Sequence, residues 1–289
     1  MKTAIMTDSN SGIMKSEAKE LGIFSLPMPV IIDGVTCYEG VDLTQEKFYA
    51  SLTGGRDVTT SQPSPGDVMG MWDEILKEGY DEIVHIPMSS GLSNSYASAA
   101  ALAADYDGKV QVADNHRISV TLRESVLEAK ALADRGLSAR EIREELEKRA
   151  YEASIYITVD TLEFLKKGGR ITPTAAALGA VLNIKPVLTI QGERLDAFAK
   201  VRGMKKGRHK MLEAVKQDLE SRFKGVEMSR VVIGAAGSGL GREEEREWTD
   251  MLKETFPEAC VYYNPLSFSI GSHTGPGAVG TAICIRRED

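Results

Sequence analysis

Met88-Ser89-Ser90-Gly91-Leu92-Ser93-Asn94-Ser95-Tyr96 lies between two segments of different character. Before it, Glu82-Ile83-Val84-His85-Ile86 reads as a short buried strand ending at Pro87. After it, Ala97 to Ala104 reads as a helix start, rich in the best helix former. Strand, Ser/Gly-rich loop and helix N-terminus in succession form a layout that binds anions. The first-turn amides lack partners and the positive end of the helix dipole points the same way. Four serines add hydroxyl donors. Capping accounts for the same residues, since Ser90 or Ser93 can close the helix N-terminus.

Working outward, strands and helices alternate through the first half. Thr3 to Met6 reads as a strand with the loop Asp8 to Gly12 at its carboxyl end, followed by a helix from Lys15 to Leu21. Pro29 to Ile32 is a second strand candidate, closed by the turn Asp33-Gly34. Glu46 to Thr53 reads as a helix ended by Gly54-Gly55. Two prolines in Thr59-Thr60-Ser61-Gln62-Pro63-Ser64-Pro65-Gly66-Asp67 predict an extended, irregular segment, with Pro65 starting a helix through Lys77. Lys109 to Ala113 is a strand and Ile118 to Ala133 a helix. Ser138 and Glu141 have capping-box spacing for a helix reaching Ala150. This alternation predicts a mostly parallel sheet with helices on both faces, ligands binding at the carboxyl ends of its strands. The loops at Asp8, Thr60 and Ser93 are candidates for that edge.

The pattern changes after Tyr151. Ser154 to Val159 reads as a strand, Leu162 to Lys167 as a short helix ended by Gly168-Gly169, and Thr172-Pro173 as another helix start. Pro186 to Ile190 and Arg194 to Val201 flank Gln191-Gly192-Glu193 as an antiparallel hairpin. A helix from Lys206 to Phe223, a strand from Arg230 to Gly234, a helix from Glu243 to Thr255 and a strand near Cys260 to Tyr263 follow. Ser269 to Gly280 reads as a glycine-rich loop and Thr281 to Ile285 as the last strand. The expected organisation is α/β with two domains: residues 1–153 with a Rossmann-like parallel sheet, and residues 154–289 with a partly antiparallel one.

Composition narrows the function classes. With 289 residues the chain has the length of two ordinary domains. A net charge of −7 argues against general nucleic-acid binding, which rests on neutralising phosphates. Cys37, Cys260 and Cys284 are far apart and odd in number, so neither a disulfide frame nor a structural zinc site is expected. No apolar run suits a signal peptide or a membrane span, and a cytoplasmic protein is the default expectation.

Among four histidines, His273 stands out, set among glycines whose free amides could form an anion-binding concavity. His85 lies in an apolar strand and reads as a packed core residue. His116 and His209 read as solvated or capping positions. Gly234-Ala235-Ala236-Gly237-Ser238-Gly239-Leu240-Gly241 has the wrong spacing for a dinucleotide fingerprint and is followed by Glu243-Glu244-Glu245; it reads as a turn and helix start. The phosphate-loop lysine motif is absent. Ser93 and His273, with Asp8 or Asp114, could serve a serine-dependent acyl hydrolase or transferase, although no Gly-x-Ser-x-Gly elbow occurs. The basic run Lys205-Lys206-Gly207-Arg208-His209-Lys210, with Lys166, Lys167 and Arg170 elsewhere, is either a solvated helix end or a docking face. An acidic partner or an anionic membrane surface would suit such a face.

Four separated motifs together resemble the DegV family of bacterial fatty-acid-binding proteins, some of which are the acyl-carrying subunit of a fatty acid kinase. They are Thr60-Ser61-Gln62-Pro63-Ser64, Ser89-Ser90-Gly91-Leu92-Ser93, Gly168-Gly169-Arg170-Ile171 and His273-Thr274-Gly275-Pro276-Gly277, and the likeness covers essentially the whole chain. The resemblance implies a two-domain fold with one long-chain fatty acid in a tunnel between the domains, and no further cofactor. It implies that Thr60, Ser93 and His273 meet the carboxylate, that Arg170 supports them, and that Ser61 and Thr274 lie in the same motifs. Arg202, with Lys205 and Lys206, would meet the catalytic subunit of the kinase. The family usually has Gly-Thr after the last loop serine where this chain has Asn94-Ser95, so the side chain of Asn94 bears on how closely its amide approaches the head group. A fatty acid tail needs a long apolar lining, for which Ala175, Ala176, Ala177, Leu178, Val181, Leu182 and Ile184 are candidates, or else plain core. The expectation is a carrier without catalytic residues of its own.

Overall fold

The computed structural model describes residues 2–180 and 184–287, without side-chain description at 179 and 180. The chain opens with β1 (Thr3–Asp8), α1 (Lys15–Leu21), β2 (Phe24–Leu26), β3 (Pro29–Ile32), β4 (Val35–Tyr38), α2 (Gln45–Thr53) and β5 (Val58–Thr60). It continues through α3 (Pro65–Lys77), β6 (Glu82–Ile86), α4 (Ser95–Ala103), β7 (Val110–Val112), α5 (Ser119–Asp134) and α6 (Ala139–Lys148). Then follow β8 (Ala153–Thr158), α7 (Glu163–Gly168), α8 (Pro173–Ala176), β9 (Ile184–Ile190), β10 (Asp196–Arg202) and α9 (Met204–Glu220). Last come β11 (Val231–Gly237), α10 (Arg242–Thr255), β12 (Cys260–Tyr263), α11 (Phe268–Thr274) and β13 (Val279–Ile285).

Three sheets result. The first is parallel, in the order β2-β1-β6-β7, and its strand β1 is buried along its whole length. Continuous apolar character is what a parallel strand covered on both faces requires. The second sheet, β10-β9-β8-β13-β11-β12, is antiparallel except for the β11–β12 pair. The chain passes from the first to the second between α6 and β8. The third, β4-β3-β5, is small and antiparallel.

Helix α5 packs on β1 of the parallel sheet and on β11 and β13 of the mixed sheet. It comes close because Gly234 has no side chain: a Cβ there would lie 2.3 Å from Cγ1 of Val120. One apolar cluster therefore runs from Ile5 and Ile86 through Val126 to Ile157 and Leu188. The capping signals act as read: Ser138 accepts from the Glu141 amide while the Glu141 carboxylate accepts from the Ser138 amide, and Ser64 accepts from the Asp67 amide ahead of Pro65.

Four expectations are corrected. Pro29–Ile32 belongs to the small sheet, and the parallel sheet takes Phe24–Leu26 as its edge. Three residues paired on one side only leave no periodic signal. Thr59 and Thr60 are not irregular; they pair with Ile31 and Val30 before the prolines begin. The strand expected at Arg230–Gly234 continues to Gly237, its small residues buried to the end. The loop expected at 269–280 begins as helix α11, capped by Ser267, whose hydroxyl accepts from the Ile270 amide at 3.3 Å. The Glu39 carboxylate accepts from the Phe268 amide at 2.8 Å, and Phe268 stacks on Phe48 with ring centroids 4.6 Å apart. Tertiary packing overrides the low helix propensity of a Gly- and Ser-rich segment.

Candidate functional site

The loop after β6 is fastened to the other half of the chain. Ser89 donates its hydroxyl hydrogen to the Gly192 carbonyl at 2.5 Å, inside the β9–β10 turn. Gly91 permits this approach, since a Cβ there would come within 2.7 Å of both the Gly192 carbonyl oxygen and Glu193 Cα. Ser93 Oγ accepts from the Ser95 amide at 3.1 Å and lies 2.8 Å from the Ser95 hydroxyl. Ser93 thus closes the start of α4, while Asn94, the first residue of the cap, makes no side-chain cap bond.

Thr60 ends β5, and its Oγ1 lies 2.8 Å from Nε2 of His273, the penultimate residue of α11. Gly168 makes room for that imidazole, and Gly275 for the neighbouring Phe164 ring. A Cβ on Gly168 would stand 2.0 Å from His273 Nδ1, and one on Gly275, which has φ +73°, would stand 2.3 Å from the Phe164 ring.

Burial, reinforced by the charge of Arg170, pushes His273 down to about 4, so the imidazole is neutral at pH 7. Its Nδ1 is buried with no hydrogen-bond partner. The direction in which a Gly168 Cβ would extend carries a hydrogen on glycine, so Nδ1 faces a C–H bond. A nitrogen lone pair accepts such a contact and an N–H does not. The proton is therefore assigned to Nε2, which donates to Thr60 Oγ1 and leaves the threonine hydroxyl hydrogen available to a ligand.

Arg170 follows the Gly168-Gly169 turn. Its Nε donates to the Leu92 carbonyl at 3.2 Å and its Nη1 to the Gly168 carbonyl. Backbone from two of the four motifs thus orients the guanidinium, and among the described residues no carboxylate pairs with it.

Thr60, Ser61, Ser93, Arg170, His273 and Thr274 all line one cavity. Its remaining wall is mostly apolar, with Met28, Met88 and Leu92 from the first half and Ile157, Ile190 and Leu266 from the second. The Ser61 hydroxyl donates to the Gln62 carbonyl at 3.1 Å, and that of Thr274 to the Ile270 carbonyl at 3.3 Å. These two line the site with their hydroxyls engaged by backbone.

Other sequence-predicted positions fall elsewhere. Asn94 is exposed and lines a separate polar chamber. Ala175, Ala176, Ala177, Leu178 and Ile184 do not line the cavity. Ala175 and Leu178 are packed in the core instead, and Val181 and Leu182 lie outside the described residues. The apolar lining on strands comes from the mixed sheet, whose buried faces are indistinguishable in sequence from ordinary core. Thr281 on β13 escapes the sequence reading for the same reason, and Ser119, which also lines the cavity, reads there only as the start of a helix.

Arg202, Lys205 and Lys206 are exposed at the end of β10 and the start of α9. Further along the basic run, Lys210 pairs with Glu213 at 2.9 Å and Arg208 faces Glu247 at 3.7 Å. His85 is buried as expected, edge-on to Trp72. His116 departs from the expected solvated position, being half-buried and stacked on Tyr151 at 5.2 Å.

Among the described residues Ser93 and His273 are not hydrogen-bonded to each other. His273 is engaged by Thr60 and Ser93 by Ser95, while Asp8 is buried and accepts from the amides of Asn10 and Met88. Asp114 accepts from the amides of Ser90 and His116. A triad needs a base bonded to the nucleophile and a third group orienting that base. Among the described residues no cluster of three His, Cys, Asp or Glu could hold a metal ion, and no helix is long and apolar enough to cross a membrane.

Comparison with known proteins identifies the family. A DegV-domain protein of Deinococcus radiodurans is 33% identical over 284 residues, covering 98% of each chain. A solved DegV family protein of Thermus thermophilus, described as fatty-acid-binding, is 32% identical with a TM-score of 0.87, covering 99% of this chain and all of that one. DegV of Bacillus subtilis, described as a fatty acid binding protein, is 28% identical with a TM-score of 0.85 and the same coverage. The sequence profile described as an uncharacterised protein of the DegV family matches residues 2–286. The chain belongs to the DegV family.

Proposed function

We propose that this chain binds one long-chain fatty acid and offers its carboxylate to a partner kinase for conversion to an acyl phosphate. The observation that carries this reading is a single cavity, apolar along its wall, with two hydroxyls, an imidazole and a guanidinium at one place on it. A buried tail contributes about 0.8 kcal/mol per methylene. A buried carboxylate must be hydrogen-bonded or neutralised. The Thr60 hydroxyl, released as a donor by His273, supplies the first need together with Ser93, and Arg170 the second. The solved relatives from Thermus thermophilus and Bacillus subtilis, described as binding fatty acid, support the same ligand.

In this reading the chain is a carrier and not a catalyst. A carboxylate oxygen takes the terminal phosphoryl group of a nucleoside triphosphate held by the kinase. One O–P bond forms, the bridging P–O bond breaks, and the diphosphate leaves. Arg202, Lys205 and Lys206 form the face offered to the kinase. Lys205 and Lys206 stand in the first turn of α9, at the positive end of its dipole, where a cation is unfavourable. Stability of the helix does not explain that placement, and an acidic partner does.

The test is denaturing extraction of the protein purified from bacteria, with mass spectrometry of the extract. A stoichiometric acyl chain is expected. No extracted lipid, together with no thermal stabilisation by added fatty acids, overturns the reading. Charge reversal at Arg202 with Lys205 is expected to slow acyl phosphate formation with the kinase and to leave the lipid content unchanged.

A further inference from the structure

A second chamber adjoins the head-group end of the cavity. It measures about 250 Å³ and is walled by the loop from Ser90 to Asn94, by Gly169 and by Arg170 and Arg194. Leu92, Ser93 and Arg170 line both spaces, so they form the partition between the apolar cavity and this polar one.

The chamber carries two guanidinium groups and, among its lining residues, no carboxylate. Burial and the neighbouring charge of Arg194 both make Arg170 a weaker base than an ordinary arginine. Two like charges held together favour an anion between them. Glu193, next to Arg194, is not itself a lining residue, although its carboxylate lies against Gly91 in the chamber wall.

The loop amides do not provide a backbone anion nest. Those of Ser90, Gly91 and Ser95 are engaged by Asp114, Ser89 and Ser93, and those of Leu92 and Ser93 by the Ser89 carbonyl. An anion in this chamber is held by side chains, and arginine forks suit the tetrahedral oxygens of a phosphoryl group.

We infer that this chamber binds a phosphoryl group, carried on the acyl carboxylate that Ser93 and Arg170 hold at the partition, with Arg194 and the Asn94 amide as its outer contacts. The inference rests on the fatty-acid reading above. It makes Arg194 a residue that discriminates acyl phosphate from free fatty acid, a distinction that Thr60 and His273 do not make.

The experiment measures binding of palmitate, of a non-hydrolysable sixteen-carbon acylphosphonate and of inorganic phosphate to the wild-type chain, Arg194→Gln and Arg194→Lys. Arg194 is exposed, so both variants keep the fold. The expected result is a loss of about tenfold or more in acylphosphonate affinity for Arg194→Gln, partly restored in Arg194→Lys, with palmitate affinity within about twofold of wild type. Equal losses for both lipids, or none for the phosphonate, overturn the inference. So does inorganic phosphate binding as tightly as the acylphosphonate, which would make this a free-phosphate site. Failure of the wild-type chain to bind palmitate at all overturns the fatty-acid reading itself, a distinguishable outcome.

Discussion

His273 and Thr60, separated by 213 positions in sequence, meet at 2.8 Å between Nε2 and Oγ1. The direction of that bond decides what the threonine can do. With the proton on Nε2, the threonine oxygen accepts and its own hydrogen is left for the carboxylate of the proposed ligand. Thr60→Val keeps the shape and removes the donor. Palmitate affinity is expected to fall about tenfold or more, as for loss of a hydrogen bond to a charged group, and stability by about 1–3 kcal/mol, because the Nε2–H of His273 loses its acceptor. Displacement of a fluorescent fatty acid measures it, and an unchanged affinity would remove Thr60 from the head-group site.

Gly168 and Gly169 separate space from backbone strain. Gly168→Ala puts a methyl group on His273 Nδ1, against a ring packed by its neighbours, and is expected to weaken palmitate binding as much as His273→Ala. Gly169 has φ +68° with nothing within 4 Å of a Cβ. Gly169→Ala is therefore expected to cost about 1 kcal/mol of stability through strain alone and to bind palmitate normally. Chemical denaturation and ligand titration on the two variants separate these effects, and equal affinities would show that the imidazole is not held by Gly168.

Glu39 predicts a pH effect of definite sign. Burial raises its carboxyl to about 7 from 4.5, against the lowering effect of the Phe268 amide. A folded pKa above the unfolded one means that the native state holds the proton more tightly. Its contribution is complete below about 4.5 and declines as pH rises through 7. Glu39→Gln keeps an acceptor for the Phe268 amide and does not titrate. It is expected to gain on the wild-type chain between pH 4.5 and 7, by about 2 kcal/mol after allowance for partial solvent exposure. Denaturant titrations across that range test this, and a difference constant with pH would refute it.

Gly91→Ala brings a Cβ to 2.7 Å from two backbone atoms of the β9–β10 turn, neither of which can rotate away. A loss of about 1–3 kcal/mol is expected, as for overpacking, together with weaker ligand binding as the Ser93 loop lifts. Urea unfolding and palmitate titration check both halves of the expectation.

Legibility of the sequence followed the range of the interactions. The parallel alternation, the Gly192 hairpin and the Ser138 capping box rest on contacts within a few residues and were readable. The six residues gathered around the cavity were named from four motifs, yet nothing in spacing alone joins Thr60 to His273. That meeting depends on β5 pairing with β3 and on a helix where the sequence suggested a loop. Of the candidates for the apolar wall, Ala175 to Leu178 and Ile184 lie off the cavity, with Ala175 and Leu178 in the core that is the alternative reading, because a strand residue facing a cavity and one facing core have the same chemistry. Arg194 carried no local signal, since a lone exposed arginine after a hairpin turn is ordinary.

The small three-stranded sheet holds both ends of the Thr60–His273 bond. It supplies Thr60 directly, and Glu39, just beyond its strand β4, grips the first amide of the helix that carries His273. Phe48 and Phe268 lock that helix against the same unit. Both ends of that bond thus rest on one unit, which is joined to the large sheets through Ser267, whose hydroxyl donates to Asn10 at 2.7 Å, and through Tyr49, 3.0 Å from Ser238. The wall of the cavity comes largely from the mixed sheet, through Ile157, Ile190 and Ala282, whereas Thr60 comes from the small one. A substitution on the mixed sheet therefore changes the width of the cavity without touching the backbone that carries Thr60.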